Sequence, residues 1–360
     1  MLSKSSINTS NCTSMNSVSV IIPVYGVENY IEQCLQSIIH QTMDHSLIEC
    51  IIINDCTQDR SMEVAQEVIA NYTGEMSFRI INHQVNRGLS VSRNTGIKEA
   101  KNDYLMFIDS DDYLLDDGLT RLMMMAEQQE NDIVMGNFYD EANDCLAIPY
   151  KEDLWSQDHS LLYIGIRKVT AWNTLIKRQL FIDHHLRFEE GIYFEDVIFC
   201  YTLYQHIKSF AYMAQPSYFY RKNEKGIMCA QRYLHNDKSA TDYAKGLKSM
   251  LDQLASPFYV AKSLYIHHFF SISLDFYLKQ RDYLSDPQSV KKSILQLSRR
   301  FALSHLRHGH LLLLMMNIFI SSPGYHIMRW KLYRRYAYRI ELIVNRCSLK
   351  RYPLSCIPLL

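Results

Sequence analysis

The sequence of 360 residues predicts an α/β protein with a mostly parallel sheet flanked by helices, followed by a helical C-terminal region. Apolar runs typical of strands buried on both faces alternate with segments whose apolar residues recur every three or four positions. Towards the C-terminus this alternation gives way to helical patterns rich in leucine, tyrosine and basic residues. We therefore expect a flexible N-terminus (1–17), an α/β domain (18–230) and a basic helical region (231–360).

The first elements follow directly from hydrophobic periodicity. A strand is expected over 18–24, and the next helix carries an apolar stripe at Val27, Ile31, Cys34 and Ile38. The pattern then predicts strands over 48–53, 78–81 and 104–108, with helices over 62–69 and 88–100 between them. Because such crossovers are right-handed, the polar ends of the first, second and fourth strands should lie along one edge of the sheet.

The pattern continues beyond residue 112. It predicts a helix over 119–126 and a strand over 133–138, followed by an irregular stretch over 139–157. Helices are then expected over 170–181 and 194–206, and a strand over 210–220. From about residue 239 to the end, the sequence favours helices.

Composition excludes several classes of protein. With 48% hydrophobic residues the chain can bury a core in each of two units, which argues against disorder. The nine cysteines are odd in number and form no CxxC pair, so we expect buried thiols in a reducing compartment, with Cys34, Cys50 and Cys56 in the core. The N-terminus lacks the apolar segment of a secretory signal, and a cytoplasmic location is predicted.

The most informative segment is 104–113, where an apolar strand runs into Asp109, Asp111 and Asp112. Open α/β sheets bind their ligands at the carboxyl ends of strands. An Asp-x-Asp pair on a rigid strand offers hard oxygen ligands, which suit Mg²⁺ or Mn²⁺ bridging nucleotide phosphates. A solvated acidic turn is the alternative.

Two other strand ends carry candidate nucleotide ligands. Asp55 follows the second strand and could accept a hydrogen bond from a uracil imide, while Tyr25 follows the first and could stack on the base. Alternatively, Asp55 caps the next helix and Tyr25 fills a turn. A dinucleotide-binding GxGxxG motif is absent, as is a Walker A motif.

The segment 86–94 places Arg87 and Arg93 among small residues where a loop enters a helix. Helix N-termini and guanidinium groups both favour anionic oxygen, so a phosphate is a plausible neighbour. A solvated helix face would explain the same residues.

Taken together, these segments resemble family-2 glycosyltransferases of the bacterial surface-polysaccharide type. The resemblance covers residues 18 to about 225 and is carried by VSVIIPVYGVE (18–28), IIIND (51–55), NRGLSVSRNTG (86–96), FIDSDD (107–112) and FEDV (194–197). Two positions depart from the family pattern: Gly26 stands where Asn is usual, and Asn54 where an Asp is frequent.

The resemblance implies a GT-A fold that transfers a sugar, with inversion, from a nucleotide donor to a hydroxyl group. A UDP-sugar donor, a lipid-linked or oligosaccharide acceptor and Mn²⁺ or Mg²⁺ are expected. The implied nucleotide-binding residues are Tyr25, Glu28, Asp55, Arg93 and Asp109. The implied metal ligands are Asp109 and Asp111, the implied catalytic base is Asp196, and Glu195 and Trp172 are assigned to the acceptor side.

Simpler explanations exist for the later residues. Glu195 and Asp196 open a predicted helix, where the helix dipole alone favours carboxylates. Trp172 could equally belong to the core. At the level of the whole protein, a glycoside hydrolase would need no nucleotide pocket, and a nucleotidyltransferase would be expected to show a glycine-rich, lysine-bearing loop. A non-catalytic carbohydrate- or nucleotide-binding protein of the same fold remains the main rival.

Charge is distributed very unevenly, although the chain has 38 basic and 38 acidic residues. From Pro287 onward there are 13 Lys and Arg residues and one acidic residue, Glu341. Basic and aromatic residues alternate over 325–346, which suits an anionic membrane surface, and the apolar run 311–320 is too short to span a bilayer. We predict peripheral attachment to the inner face of the cytoplasmic membrane and no nucleic-acid binding; a buried core helix at 311–320 and a solvated helical face are the alternatives.

Overall fold

The computed structural model describes residues 16–146, 152–159, 162–163, 169–224, 226, 237–255 and 258–320. The described strands are β1 (Val18–Val24), β2 (Ile48–Asn54), β3 (Ser77–Asn82), β4 (Tyr104–Phe107), β5 (Tyr113–Leu114), β6 (Ile133–Asp140), β7 (Cys145–Leu146), β8 (Leu154–Ser156), β9 (Thr174–Lys177) and β10 (Phe210–Tyr220). The described α-helices are α1 (Ile31–Ile39), α2 (Ser61–Ala70), α3 (Leu89–Glu99), α4 (Gly118–Gln128), α5 (Arg178–His184), α6 (Glu195–Leu203), α7 (Asp237–Asp252), α8 (Tyr259–Gln280), α9 (Pro287–Arg307) and α10 (Leu311–Ile320).

The strands form one mixed sheet in the order β3-β2-β1-β4-β9-β6-β10-β5, with β7 beside β6 and β8 beside β10. The β3-β2-β1-β4 half is parallel, and β10 is parallel to β6. β9 runs antiparallel to both β4 and β6. The predicted fold class, a mostly parallel sheet flanked by helices with a helical C-terminal region, is confirmed.

The central strands are buried because helices cover both faces of the sheet. All seven residues of β1 and all four of β4 are buried. Helix α3 packs closely on β1 at Gly96, where a Cβ atom would lie 2.3 Å from the Ile21 side chain. This close packing sets the position of Arg93, one helical turn earlier.

The predicted helix over 170–181 is wrong. Thr174–Lys177 form β9, and the helix begins only at Arg178. A short apolar run does not distinguish a strand from a helix by periodicity. Here the neighbouring strands decide, because β9 lies between β4 and β6 and pairs with both.

Other expectations for the described residues need smaller corrections. The stretch 139–157, predicted as irregular, contains the short strands β7 and β8. Cys34 and Cys50 are buried as predicted, whereas Cys56 is half-buried in a loop with φ of 58° and Cys145 is exposed. The division of the chain near residue 230 stays a prediction, and most of the predicted flexible N-terminus lies outside the described residues.

The C-terminal helices contain a buried histidine pair. The Nε2 atoms of His267 (α8) and His305 (α9) lie 3.1 Å apart, and Nδ1 of His305 lies 3.1 Å from the Tyr259 hydroxyl. Burial, with a smaller contribution from His305, lowers the pKa of His267 well below its usual value. Burial, followed by His310 and His308, lowers the pKa of His305 to about 4. Both imidazoles are therefore neutral in the folded protein.

Acid is expected to destabilise this helical region. The pKa of His305 is lower in the folded than in the unfolded chain. The contribution of neutral His305 to the stability of the fold is therefore complete above about pH 6.5 and is lost as the pH falls towards 4. The free energy of unfolding should fall by roughly 3 kcal/mol for this group across that window, of which roughly 2 kcal/mol lies between pH 7 and pH 5. Urea unfolding at pH 7 and pH 5, followed by circular dichroism, measures the change.

The double variant His267→Leu/His305→Leu is the control, because it has no imidazole at the α8–α9 contact. Its free energy of unfolding should depend much less on pH between 7 and 5. An equal loss in the double variant would assign the acid sensitivity to other groups.

Candidate active site

The sheet order brings the predicted site loops to one edge. β2, β1 and β4 are consecutive parallel strands, so the loops after Asn54, Val24 and Phe107 are neighbours, as the alternation of elements predicted. The N-terminal ends of α3 and α6 contribute to the same edge, because Arg93 of α3 contacts both the β4 loop and α6.

Asp55 connects the end of β2 to the loop before α3. It is buried and accepts hydrogen bonds from His83 Nδ1 (2.7 Å), Arg87 N (2.9 Å) and Gly88 N (2.7 Å). Gly88, immediately before α3, has a φ of 87°, a left-handed conformation that favours glycine. Asp55 is not the cap of α2, so the structure does not support the simpler explanation for this residue. His83 is not among the site residues predicted from the sequence. The one feature of the sequence that points to it is its position directly after β3.

The loop after β1 is braced against the loop after β2. Backbone N–H groups of Gly26 and Glu28 donate to Thr57 Oγ1 (2.8 Å) and Asp59 Oδ2 (3.0 Å), and Glu28 Oε2 accepts from Arg60 N (3.0 Å). Tyr25, directly after β1 in this braced loop, has 53% of its surface exposed. An exposed aromatic ring on a rigid loop is suited to stacking on a nucleobase.

Asn54, one of the two departures from the family pattern, has a local structural role. Its Nδ2 donates to Asn82 Oδ1 (2.9 Å) in the neighbouring strand, and its Oδ1 accepts from Thr57 N (3.0 Å). An amide can make both bonds because it is a donor and an acceptor, which a carboxylate is not.

Arg93 is the centre of the site. Its guanidinium is buried, with 1% of the side chain exposed, and it donates to Asp109 Oδ1 (2.8 Å), Glu195 Oε1 (2.9 Å) and Asp196 Oδ1. Burial by itself would lower the pKa of Arg93, but the charges of its three carboxylate partners outweigh burial and raise it. A single buried cation therefore connects the end of β4 to the start of α6.

The carboxylates at the start of α6 differ in their surroundings. Phe194, immediately before the helix, adopts a left-handed conformation with φ of 66°. Asp196 Oδ2 accepts from Ala171 N (3.0 Å), so both oxygens of this carboxylate are held. Burial, followed by the charge of Asp196, raises the pKa of Glu195 above its usual value.

The three aspartates after β4 have different roles in the structure. Asp112 is buried and accepts from the Tyr218 hydroxyl (2.8 Å) and Arg221 N (2.8 Å), and the same hydroxyl accepts from Asp109 N (3.2 Å). Asp112 therefore anchors the loop to β10. Asp111 accepts from Asn223 Nδ2 (2.8 Å), and burial, followed by the charge of Asp109, raises its pKa.

Asp109 and Asp111 are the candidate ligands for a divalent cation. After burial, the charge of Asp109 is the next cause of the raised pKa of Asp111, and a bound cation would relieve this repulsion. No group of three or more potential metal-ligating side chains occurs within the part of the chain that the structure describes. Two carboxylates suit Mg²⁺ or Mn²⁺ when substrate phosphates complete the coordination.

Trp172 lies in an aromatic stack instead of on an open surface. It is buried, with its ring stacked on Tyr218 (4.7 Å between centroids) and Tyr220 (5.4 Å) and edge-on to Phe138 (4.6 Å). This position matches the alternative that Trp172 is a core residue. The stack supports β10, whose Tyr218 hydroxyl holds the loop after β4.

Comparisons with known proteins show what this chain resembles. Residues 19–186 match the model of Glycosyl transferase family 2. The chain is 36% identical over 224 residues to the uncharacterized glycosyltransferase EpsJ of Bacillus subtilis (strain 168), covering 58% of this chain and 62% of that relative. The matched part thus spans less than two thirds of the relative's length.

Two solved structures share the fold at low sequence identity. S. aureus TarS 1–349 in complex with UDP-GlcNAc gives a TM-score of 0.65 at 17% identity, covering 88% of this chain and 93% of that one. The mannosyltransferase PcManGT from Pyrobaculum calidifontis, in complex with GDP-Man and Mn²⁺, gives 0.53 at 14% identity, covering 94% and 89%. These low-identity structures show that the chain shares their fold, and residues 19–186 are the part of the chain that is similar to glycosyl transferase family 2.

Proposed function

We propose that the chain is an inverting glycosyltransferase that moves a sugar from a UDP-linked donor to a hydroxyl of a lipid-linked or oligosaccharide acceptor in surface polysaccharide biosynthesis. The observation that carries the proposal is the ion-pair cluster around Arg93, which connects Asp109, assigned to the donor half, with Asp196, assigned to the acceptor half. A transferase needs its donor site and its acceptor site within one cleft.

The donor half is formed by the loops after β1, β2 and β4. Tyr25 stacks on the base, while Asp55 and Glu28 bind the nucleoside from the two braced loops. The hydrogen bonds that Asp55 accepts from His83 and from two backbone N–H groups hold its carboxylate in place before the nucleotide binds. The UDP-GlcNAc in the TarS complex supports the choice of a UDP-sugar as donor.

Mn²⁺ or Mg²⁺ would be held by Asp109 and Asp111, and the Mn²⁺ in the PcManGT complex supports this assignment. A cation bound there would neutralise charge on the leaving diphosphate. Arg93 donates a hydrogen bond to Asp109 Oδ1 from the protein side and orients this carboxylate.

Asp196 acts as the general base on the acceptor side. Arg93 and the Ala171 N–H donate to its two oxygens, which fixes the direction of the carboxylate. When the acceptor hydroxyl attacks the anomeric carbon from the face opposite the diphosphate, Asp196 takes the hydroxyl proton as the new bond forms. Glu195 lies beside it on the acceptor side.

The first test is a panel of nucleotide sugars, with release of free UDP measured in the presence and absence of Mn²⁺. Asp111→Asn is expected to lower the metal-dependent rate by about 10²-fold or more, because an amide is a poor substitute for a charged ligand. The fold should be retained, since Asp111 lies in a loop. Asp116→Asn is the matched control: this aspartate is exposed in the same segment, and its replacement should leave the rate unchanged.

An Asp111→Asn enzyme as active as the wild type would contradict the metal assignment. If no nucleotide sugar is turned over by the wild type while UDP still binds, the non-catalytic alternative would be favoured. Calorimetry with UDP separates these results.

Attachment to the inner face of the cytoplasmic membrane is also proposed. Among the described residues, no helix combines the length and apolar character needed to cross a bilayer. The basic and aromatic segment 325–346, on which the sequence prediction rested, lies outside the described residues. The apolar run at 311–320 forms α10.

A further inference from the structure

Helix α9 has two opposite faces with different properties. One face consists of the buried residues Ile294, Ser298, Phe301 and His305, which pack towards the helical core. The opposite face repeats at three- and four-residue spacing and consists of exposed residues, namely Lys292, Leu295, Arg299, Leu303 and Leu306. This second set is called the outer face of α9. Residues at these spacings lie on one side of a helix, so leucines and cations alternate along a single strip.

The outer face is unusually apolar for an exposed helix. Leu303 and Leu306 have 54% and 62% of their surface exposed. Helix α10 adds Leu311, Met315 and Ile318, which are exposed and spaced four and three residues apart. Of the fourteen large apolar side chains that are exposed among the described residues, six lie between 295 and 318. Scattered exposed leucines need no explanation, but a concentration of this kind marks an interaction surface.

The charge of the same strip is positive. Helix α9 has five Lys and Arg residues and no acidic residue. Arg300 pairs with Asp252 of α7, whereas Lys292 and Arg299 have no ion-pair partner among the residues that the structure describes. Cations that the protein does not neutralise are available to an anionic partner.

A buried hydrogen bond connects α10 to α9. Asn317 of α10 donates to the Ser298 carbonyl of α9 (2.8 Å), and Gly309, with φ of 70°, forms the turn between the helices. This contact fixes which side of α10 faces α9. The packing of α10 on α9 therefore decides which apolar side chains of the pair are exposed.

We propose that the outer face of α9, extended by the exposed residues of α10, docks on an anionic lipid bilayer. Leucines inserted at the headgroup boundary and cations at lipid phosphates are the two components of interfacial helix binding. A nucleic acid would use the cations but not the leucines. The proposal depends on the proposed function only in that a membrane is where a lipid-linked acceptor is found; its test needs no activity.

The test is flotation of the full-length protein with vesicles of phosphatidylglycerol and phosphatidylcholine, compared with phosphatidylcholine alone. Wild type should bind the anionic vesicles, and less tightly as salt is raised. The triple variant Leu295→Ser/Leu303→Ser/Leu306→Ser and the double variant Lys292→Glu/Arg299→Glu should each bind at least about tenfold more weakly. Circular dichroism and UDP binding should be unchanged in both, since all five residues are exposed and distant in sequence from the site loops.

Matched controls come from exposed apolar residues elsewhere, Ile182 on α5 and Ile272 on α8. Ile182→Ser and Ile272→Ser should bind vesicles as the wild type does. Wild-type binding at equal strength to neutral vesicles, or undiminished binding by the triple variant, would overturn the proposal. A preference of the wild type for a duplex oligonucleotide over vesicles would also overturn it. The same holds if sedimentation shows that the triple variant changes from dimer to monomer while its vesicle binding stays intact. If vesicle binding is as expected and no nucleotide sugar is turned over, the proposed function fails and the docking surface stands.

Discussion

Replacing Arg93 with methionine is expected to destabilise the protein by about 3–5 kcal/mol and to abolish transfer, the usual scale when one partner of a buried ion pair is removed. The variant leaves three largely buried carboxylates, Asp109, Glu195 and Asp196, facing one another without a cation. Methionine has a similar length and no charge, so the loss comes mainly from electrostatics. Urea unfolding at pH 7 measures the stability, and UDP release measures the activity.

Three further variants test whether the loss comes from the charge and shape of the Arg93 side chain. Arg93→Lys keeps the charge but lacks the planar fork that contacts several carboxylates at once, so it should fold and lose most of its activity. Arg93→Met combined with Glu195→Gln and Asp196→Asn should recover part of the stability, because two of the unpaired charges are removed. Arg87→Met, at an exposed arginine of the same segment, is the control for stability. An unfolding midpoint for Arg93→Met equal to that of the wild type would show that the cluster does not stabilise the fold.

The variant Asp196→Asn is expected to lower turnover by roughly 10² or more while UDP-sugar affinity stays within a few-fold, the scale of losing a general base. The amide keeps the size of the side chain and can still accept the hydrogen bond from Ala171 N. It cannot take a proton from the acceptor hydroxyl. A transfer assay at saturating donor and calorimetry with the donor separate the two effects.

Glu195→Gln is the matched comparison, because Glu195 contacts the same guanidinium from the neighbouring position. If the loss in Asp196→Asn came only from weakening the Arg93 cluster, both variants would lose turnover similarly. A much smaller loss in Glu195→Gln supports the base assignment. Weak donor binding with normal turnover at saturation would place Asp196 in the donor pocket.

Short-range pattern was sufficient for the parallel half of the fold. The buried runs of β1, β2 and β4 and the amphipathic helices between them are local features, and each is near its predicted position. The prediction failed at 170–181, where pairing with β4 and β6 decides the conformation. Strand pairing depends on residues distant along the chain, and periodicity within one segment carries no information about them.

In the candidate site, too, the sequence predicted some features and the tertiary structure decided others. Sequence alone, through strand ends and motif resemblance, named Tyr25, Asp55, Asp109, Asp111 and Asp196. It assigned no separate role to Asp112, which is an anchor bound to β10, and it left open whether Trp172 belonged to the acceptor side or to the core.

Only the tertiary structure decided which charged side chains form ion pairs. Arg93 and Asp196 are 103 residues apart, and their ion pair exists because α3 and α6 begin at the same edge of the sheet. Likewise, the outward direction of Leu303 and Leu306 depends on which side of α9 the rest of the helical region covers. The sequence by itself determined residue types and local conformation, since these depend on spacing and turn chemistry. Burial and charge pairing required the fold, because both are set by contacts between distant segments.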